Sequence, residues 1–316
     1  MIEASHLSKY FGEKVAVDDI SFSVDKGEIL GFLGPNAAGK STTMRMLTGF
    51  LPPTSGTAII GGDDIIKASL SVRKKIGYLP ENAPVYPDMT VIGFLGFIAE
   101  IRGFSGNEKI RRIEETIERC FLPEVRYQTI DTLSKGFKQR VCFAQSILHD
   151  PEYLIMDEPT DGLDPNQKHE VRAMIREMAK EKTIILSTHN LEEMDAVCSR
   201  AIIIADGKIV ADDTPKGLKA RSSVHGSIRF TVSKSGVDDP LLDLDRIPGI
   251  KAAEVINEGE SEITIRIYPM DSSLSPADSI VRHFLEKGRR VKTLVVDEGR
   301  LDEVFRMITT SNEIDL

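Results

Sequence analysis

The chain has 316 residues, 41% of them hydrophobic and 28% charged, a length and composition that suit two globular domains. Its formal net charge of −9 argues against general nucleic-acid binding, which needs a basic face. The three cysteines lie far apart without a C-x-x-C pattern, so we expect buried free thiols in a reducing compartment rather than disulfides or metal ligands. No signal-peptide pattern opens the chain, and its longest apolar stretch, 91–101, is about half a membrane span.

The first predicted elements are strands, at residues 2–7, 15–23 and 28–33. The third is an apolar run between two glycines, as expected of a buried parallel strand. Phe11 lies in a predicted turn between the first two strands. An aromatic side chain there either packs in a core or stacks on a nucleotide base, and the residues alone leave both open.

A phosphate-binding pattern follows the third strand. Residues 34–41 read G-P-N-A-A-G-K-S and fit G-x-x-x-x-G-K-[ST], and a predicted helix follows and ends before Gly49. Between a strand and a helix, the backbone N–H groups of such a loop converge on polyphosphate oxygens. Lys40 then places a cation at the β- and γ-phosphates, and the Ser41 hydroxyl is set to ligate Mg²⁺. A chance match on a Gly-rich turn is the alternative.

Strands at 57–60 and 76–79 and helices at 90–102 and 107–120 are predicted next. The second of these strands leads into Glu81 and a proline-pinned loop that ends at Pro87, a segment of the kind that contacts ligands or partners. Ser134 is a good N-cap for the following helix. A helix start carrying Ser134 and Gly136 can receive a phosphate, although simple capping is the commoner role.

Two adjacent carboxylates follow the strand predicted at 153–156. Asp157 and Glu158 thus stand at the carboxyl end of a buried strand, where open α/β sheets place their sites. We predict that Asp157 holds Mg²⁺, usually through water, opposite Ser41. We predict that Glu158 orients and deprotonates an attacking water.

The remaining strands of this half are predicted at 183–187, 201–205 and 209–211. His189 follows the first of them at the same sheet edge, which makes it a candidate contact for the terminal phosphate. A lone histidine is more often a structural residue. Periodicity weakens over 212–226, so we predict a domain boundary near residue 222, with domains at 1–222 and 223–316.

In the second predicted domain, the apolar periodicity that indicates strands and helices returns. Its elements are strand (227–233), helix (240–244), strand (252–257), strand (262–268), helix (275–287), strand (291–297) and helix (301–309). This βαββαβ order predicts a small α+β domain of ferredoxin-like topology. It shows no metal-like spacing and no catalytic cluster, so we expect a regulatory or interaction domain.

Taken together, the motifs resemble those of the ATP-binding cassette (ABC) family of transporter ATPases. The P-loop is followed in the family's order by L-S-K-G-F-K-Q at 133–139, L-I-M-D-E-P-T at 154–160, D-G-L-D at 161–164 and S-T-H at 187–189. The second domain, with E-G-R-L-D-E-V-F at 298–305, looks like that of ATPase subunits of ABC-2-type exporters, including the gliding-motility-associated subgroup. The implied fold is α/β: a P-loop NTPase cassette with a mostly parallel sheet core and antiparallel β and helical subdomains, plus the small C-terminal α+β domain.

The resemblance also implies roles for individual residues. Phe11 stacks on adenine, Glu158 is the general base and His189 contacts the γ-phosphate. The P-loop residues that bind the phosphates and Mg²⁺ are Gly34, Pro35, Asn36, Ala37, Ala38, Gly39, Lys40, Ser41 and Thr42. Residues 133–139 are the family's signature segment, and its Ser134 and Gly136 meet the γ-phosphate of the ATP held by the opposite subunit. Asp164 lies across the dimer interface.

Three positions depart from the family pattern. Ala37 stands where a third glycine is usual, and we expect binding to survive unless that position requires a positive φ. Lys135 and Phe137 replace Gly and Gln in the signature segment. Glu81 fills the loop position usually held by Gln; it can ligate Mg²⁺ or accept a hydrogen bond from the nucleotide site, but it cannot donate one when ionised.

The implied function is an ATP-binding and ATP-hydrolysing subunit that powers an exporter by ATP-driven dimerisation. Its implied cofactors are ATP and Mg²⁺. Its implied partners are an integral-membrane permease and a second ATP-binding subunit, expected to be an identical chain, and no nucleic acid. The implied location is cytoplasmic, peripheral on the inner face of the cell membrane. Two alternatives stay open: a soluble ABC ATPase acting on ribosomes or DNA, and a nucleotide-gated scaffold without turnover.

Overall fold

A six-stranded sheet forms the centre of the first unit of this computed structural model. The structure describes residues 1–82, 84–233, 241, 244, 247–271, 276–288 and 291–310. The strands are β1 (Ile2–Phe11), β2 (Lys14–Val24), β3 (Ile29–Leu33), β4 (Ser55–Ile60), β5 (Asp63–Asp64), β6 (Ile76–Leu79), β7 (Tyr153–Asp157), β8 (Thr183–Thr188), β9 (Arg200–Ala205), β10 (Lys208–Asp213), β11 (Ile228–Ser233), β12 (Ile250–Glu258), β13 (Glu262–Pro269) and β14 (Val291–Val296). The helices are α1 (Lys40–Leu47), α2 (Ser69–Lys75), α3 (Val91–Ile101), α4 (Gly106–Arg119), α5 (Lys135–Ile147), α6 (Pro165–Ala179), α7 (Leu191–Val197), α8 (Pro215–Lys219), α9 (Ala277–Glu286) and α10 (Leu301–Thr310).

The central sheet has the order β10-β9-β3-β8-β7-β6. Its pairs are parallel except for the edge pair β9–β10, which confirms the predicted mostly parallel core. Strands β3, β7 and β8 are buried along their whole length, because both faces of the sheet are covered and apolar runs are stable there. The carboxyl ends of these three strands meet at one edge of the sheet, which brings the segments after Leu33, Asp157 and Thr188 together.

A second, antiparallel sheet has the order β2-β1-β4-β5 and shares a hydrophobic cluster with the central sheet. The Phe22 and Phe32 rings join the two sheets edge to face, with centroids 5.0 Å apart. Phe11 is the last residue of β1 and pairs with Lys14. The prediction of a turn at Phe11 was therefore wrong, because pairing with β2 carries the strand through that residue.

The second unit spans Lys216–Leu316 and the first spans Met1–Pro215, so the boundary predicted near residue 222 falls inside the second unit. The Ser222 hydroxyl donates to the Glu303 carboxylate at 2.6 Å, which ties this segment to α10. The sheet of the second unit is antiparallel with the order β12-β13-β11-β14, the strand order of a ferredoxin-like βαββαβ domain. Its core includes Phe230 and Phe284, with ring centroids 5.0 Å apart. The helix predicted at 240–244 lies largely outside the described residues.

Among the described residues, no helix combines the length and the apolar character needed to cross a membrane.

Candidate functional site

The P-loop joins β3 to α1, and two of its glycines are required by close approach. A Cβ at Gly34 would lie 2.3 Å from the carbonyl oxygen of Ile204. A Cβ at Gly39 would lie 2.5 Å from the carbonyl oxygen of Ala16, and Gly39 has a φ of +110°. The first and last glycines of the motif thus let the loop fold tightly against neighbouring strands.

Ala37 has a φ of 66°, in the left-handed region that favours glycine. This position therefore does require a positive φ. That was the condition under which we expected the replacement of glycine by alanine to affect binding. An alanine held there costs roughly 1–2 kcal/mol. The loop keeps its shape nonetheless, with the Ala38 N–H donating to the Pro35 carbonyl at 3.2 Å.

Lys40 is 7% exposed and folds back on the loop, where its Nζ donates to the carbonyl oxygens of Gly34 at 2.7 Å and Pro35 at 3.0 Å. Burial lowers the pKa of this ammonium, and the carboxylates of Glu158 and Asp157 oppose that shift. The cation is therefore held by neutral acceptors close to two acidic groups. Phosphate oxygens that take the place of these carbonyls would bind it more strongly, because they are charged.

Helix α1 begins without a side-chain cap and without an acidic residue in its first turn. The N–H groups of a first turn have no partner inside the helix and carry the positive end of its dipole. The start of α1 is therefore suited to an anion.

A cavity of about 490 Å³ opens beside the P-loop. It is lined by Phe11, Lys14, Ala16, Asn36, Ala37, Gly39, Lys40, Ser41, Thr42, Glu81 and Glu158. The structure thus brings the predicted adenine contact, much of the P-loop, Glu81 and the predicted base to one cavity. Lys14 and Ala16 were missed by sequence reasoning. Their position follows from the pairing of Phe11 with Lys14, which a single sequence does not give.

Asp157 ends β7, is 1% exposed and is not among the residues that line the cavity. Its carboxylate accepts a hydrogen bond from the Ser187 hydroxyl, and the same hydroxyl oxygen accepts from the Glu158 N–H at 3.2 Å. Ser187 was part of the S-T-H motif but received no predicted role. A hydroxyl that faces a carboxylate on the neighbouring strand satisfies a group that is costly to bury alone.

Glu158 follows β7 in the left-handed conformation, with a φ of 53°, and is 9% exposed. Its Oε1 lies 2.9 Å from Nδ1 of His189, whose side chain is 61% exposed. Burial raises the pKa of Glu158, against the lowering effects of His189 and Lys40. A carboxylate whose pKa is raised towards neutral pH is a stronger base than an exposed one.

The oxygen groups near the cavity fit Mg²⁺. Ser41 and Glu81 line it, and the buried Asp157 carboxylate acts electrostatically on Lys40 at the same loop; all three carry hard oxygen donors of the kind this ion prefers. Among the described residues, no cluster of three or more His, Cys, Asp or Glu side chains forms a metal cage. Mg²⁺ bound with a nucleotide needs only one or two carboxylates, because phosphates and waters supply its other ligands.

Ser134, Gly136 and Asp164 do not line this cavity. The Ser134 Oγ caps α5 by accepting from the Phe137 N–H at 3.3 Å, and Asp164 forms a capping box with Gln167 at the start of α6. A Cβ at Gly136 would lie 2.6 Å from the Gln167 Oε1. These residues form a second cluster at two helix starts, and their contact with a nucleotide stays a prediction.

Comparison with known proteins identifies the family. The sequence profile described as "ABC transporter" matches residues 17–161. The linearmycin resistance ATP-binding protein LnrL of Bacillus subtilis (strain 168) is 33% identical over 314 residues, covering 98% of each chain. The chain belongs to the ABC transporter ATP-binding family. The bacitracin transport ATP-binding protein BcrA of Bacillus licheniformis is 33% identical over 307 residues, 96% of each chain.

A solved structure gives the same answer for the ABC fold. An ATP-binding subunit of an ABC transporter superposes with a TM-score of 0.65 at 30% identity, covering 70% of this chain and 92% of the other. The predicted family and the predicted cassette fold are thereby confirmed.

Proposed function

We propose that this ABC chain binds ATP with Mg²⁺ in the P-loop cavity and hydrolyses it to drive export through a membrane permease. The observation that carries the proposal is the buried Glu158 carboxylate beside His189, at a cavity that also holds Lys40. The relatives named for linearmycin resistance and bacitracin transport support a role in export.

Each residue near the cavity has a part in the proposed reaction. Phe11, half exposed at the cavity wall, stacks on adenine, and the P-loop N–H groups and Lys40 hold the phosphates. Ser41, Asp157 and Glu81 would hold Mg²⁺, and the ion would supply positive charge that stabilises the charge developing on the transferred phosphate. Positioning and charge stabilisation are then sufficient for in-line attack by water.

Proton positions in the Glu158–His189 pair follow from its geometry. An ionised Glu158 can only accept, so Nδ1 of His189 carries the bridging proton before attack. Nε2 can then donate to the γ-phosphate only if the imidazole is protonated. The ring would thus orient the carboxylate that accepts the proton of water.

A second copy of the chain completes the proposed site. Ser134 is exposed at the start of the 13-residue helix α5, whose dipole favours an anion, yet it lies outside its own chain's cavity. Two copies arranged head to tail would let Ser134 and Gly136 of one meet the γ-phosphate held by the other, with Asp164 at the interface. ATP would then close the pair and hydrolysis would open it.

The permease would bind at a groove of about 740 Å³ next to β6, which we call the α3 groove. It is lined by Thr48, Gly49, Phe50, Leu70, Arg73, Lys74, Ile76, Tyr78, Ile98, Ile101, Arg102, Phe104, Gln145, Ser146 and His149. Phe50, Leu70 and Ile101 are 74%, 71% and 64% exposed, an unusual density of solvated apolar side chains. The ring of Tyr86, downstream of Glu81, packs on Phe94 and Phe97 of α3, the helix that also carries Ile98 and Ile101 of the groove. Binding there would hold the chain at the inner face of the cell membrane.

Replacement of Glu158 by Gln tests the catalytic proposal. The amide keeps the size of the side chain but cannot accept the proton, so ATP binding should persist while steady-state phosphate release falls by about 10²-fold or more. The matched control is Glu192→Gln, on a side chain that is 82% exposed on α7, and it should release phosphate like the wild type. Equal turnover in the wild type and the Glu158→Gln variant would refute the role of Glu158 as base.

A further inference from the structure

Two side chains of α5 hold the turn that follows Glu158. Lys135 and Gln139 are four residues apart and therefore lie on the same face of the helix. The Lys135 Nζ donates to the Asp161 Oδ2 at 2.7 Å, and the Gln139 Nε2 lies 3.5 Å from the Glu158 carbonyl oxygen. The start of α5 is thus tied to both ends of residues 158–161.

The alkyl chain of Lys135 also lies across this turn. A Cβ at Gly162 would come within 2.6 Å of the Lys135 Cδ and Cε atoms, and Gly162 has a φ of +72°. Lys135 occupies a position where the signature pattern has a glycine, which has no side chain to reach the turn. This departure from the pattern therefore creates a contact that a glycine cannot make.

The turn is under backbone strain where it carries the carboxylate. Glu158 holds a left-handed conformation, and such conformations persist only where neighbouring contacts fix them. The contacts are the hydrogen bonds from the Glu158 N–H to Ser187 and from the Asp161 N–H to the Glu158 carbonyl at 3.1 Å, together with the α5 contacts. The Lys135 ammonium lowers the pKa of Asp161, which keeps the ion pair charged.

We propose that Lys135 is a positioning residue for the general base. Its side chain passes over Gly162 to form the ion pair with Asp161, and this contact fixes the turn that orients the Glu158 carboxylate. The inference rests on the proposed role of Glu158. The Lys135 and Asp161 side chains are 70% and 47% exposed, so their ion pair adds little to the stability of the fold. Loss of the pair should therefore change turnover and leave folding intact.

Steady-state ATP hydrolysis by the full-length chain tests this inference. Lys135→Met keeps the length of the side chain and removes its charge. We expect kcat to fall by about tenfold, which is part of the ~10²–10⁴-fold rate acceleration that a positioned base supplies. The KM for ATP should stay within about twofold of the wild type, and the midpoint of thermal unfolding should not change. Lys135→Arg, and the exchange of Lys135→Asp with Asp161→Lys, should restore most of kcat.

The matched control is Lys180→Met, which breaks an exposed ion pair with Glu177, at 2.5 Å, at the carboxyl end of α6. Its kcat should equal that of the wild type. An unchanged kcat in Lys135→Met, a change confined to KM, or failure of both restoring variants would overturn the inference. Glu158→Gln is measured in parallel. If this variant keeps its turnover, the proposed function itself fails. If it loses turnover while Lys135→Met stays fully active, only the positioning role of Lys135 is rejected.

Discussion

At residue 37 the P-loop holds an alanine in a conformation that glycine adopts freely. The motif spacing predicted the loop, but a sequence alone does not give a φ angle. Contacts between distant strands were likewise beyond prediction: Ser187 bonds Asp157 because β7 and β8 pair in a register that places these two residues opposite each other. Local motifs therefore identified most of the residues that line the cavity, whereas strand pairing determined the positions of Lys14, Ala16 and Ser187.

Ala37→Gly should stabilise the protein. The change removes roughly 1–2 kcal/mol of left-handed strain and adds about 0.5–1 kcal/mol of backbone entropy cost, so the free energy of unfolding should rise by up to about 1.5 kcal/mol. Urea titration of the full-length chain measures it. Ala38→Gly is the matched control, since Ala38 is buried in the same loop without a positive φ, and it should destabilise. Destabilisation by both changes would contradict the strain at Ala37.

Among the elements, those with clear apolar periodicity were predicted within a few residues, including α3, α4 and the strands of the central sheet. Helices α2 and α7 were missed. Each has seven residues, and α2 buries only Val72, so neither repeats an apolar pattern long enough to recognise. The missed helix α2 carries Leu70, which lines the α3 groove. The groove could not be predicted from the sequence, because its wall is formed by residues from several separate elements.

Leu70→Ser tests the α3 groove. If the permease covers this side chain, its loss should cost about 1.5 kcal/mol or more of binding, roughly tenfold in affinity. The measurement is recovery of the chain in the membrane fraction of cells that make the native complex. Ile110→Ser, on an exposed side chain of α4 (60%, against 71% for Leu70) outside the groove, should leave recovery unchanged. Equal recovery of both variants would place the permease elsewhere.

For the molecule as a whole, the βαββαβ order of the second unit could be predicted from alternating runs, and its antiparallel strand order agrees with that topology. The boundary was harder to predict, because weak periodicity near residue 222 does not reveal that Ser222 bonds Glu303 far along the chain. The full-length matches to LnrL and BcrA show that both units are shared with these relatives. The proposed contact between Ser134 and the γ-phosphate of a neighbouring chain's nucleotide requires two copies of the chain.

The most direct test of the account is the mass of the Glu158→Gln variant in solution with and without ATP. Sedimentation equilibrium at low salt with ATP and Mg²⁺ should give twice the monomer mass, because bound nucleotide that is not hydrolysed keeps two copies closed. Without nucleotide or with ADP the same variant should remain a monomer, and addition of Ser134→Phe should abolish the dimer without loss of ATP binding. A monomer under all these conditions, or a dimer indifferent to the nucleotide and to Ser134, would contradict the account.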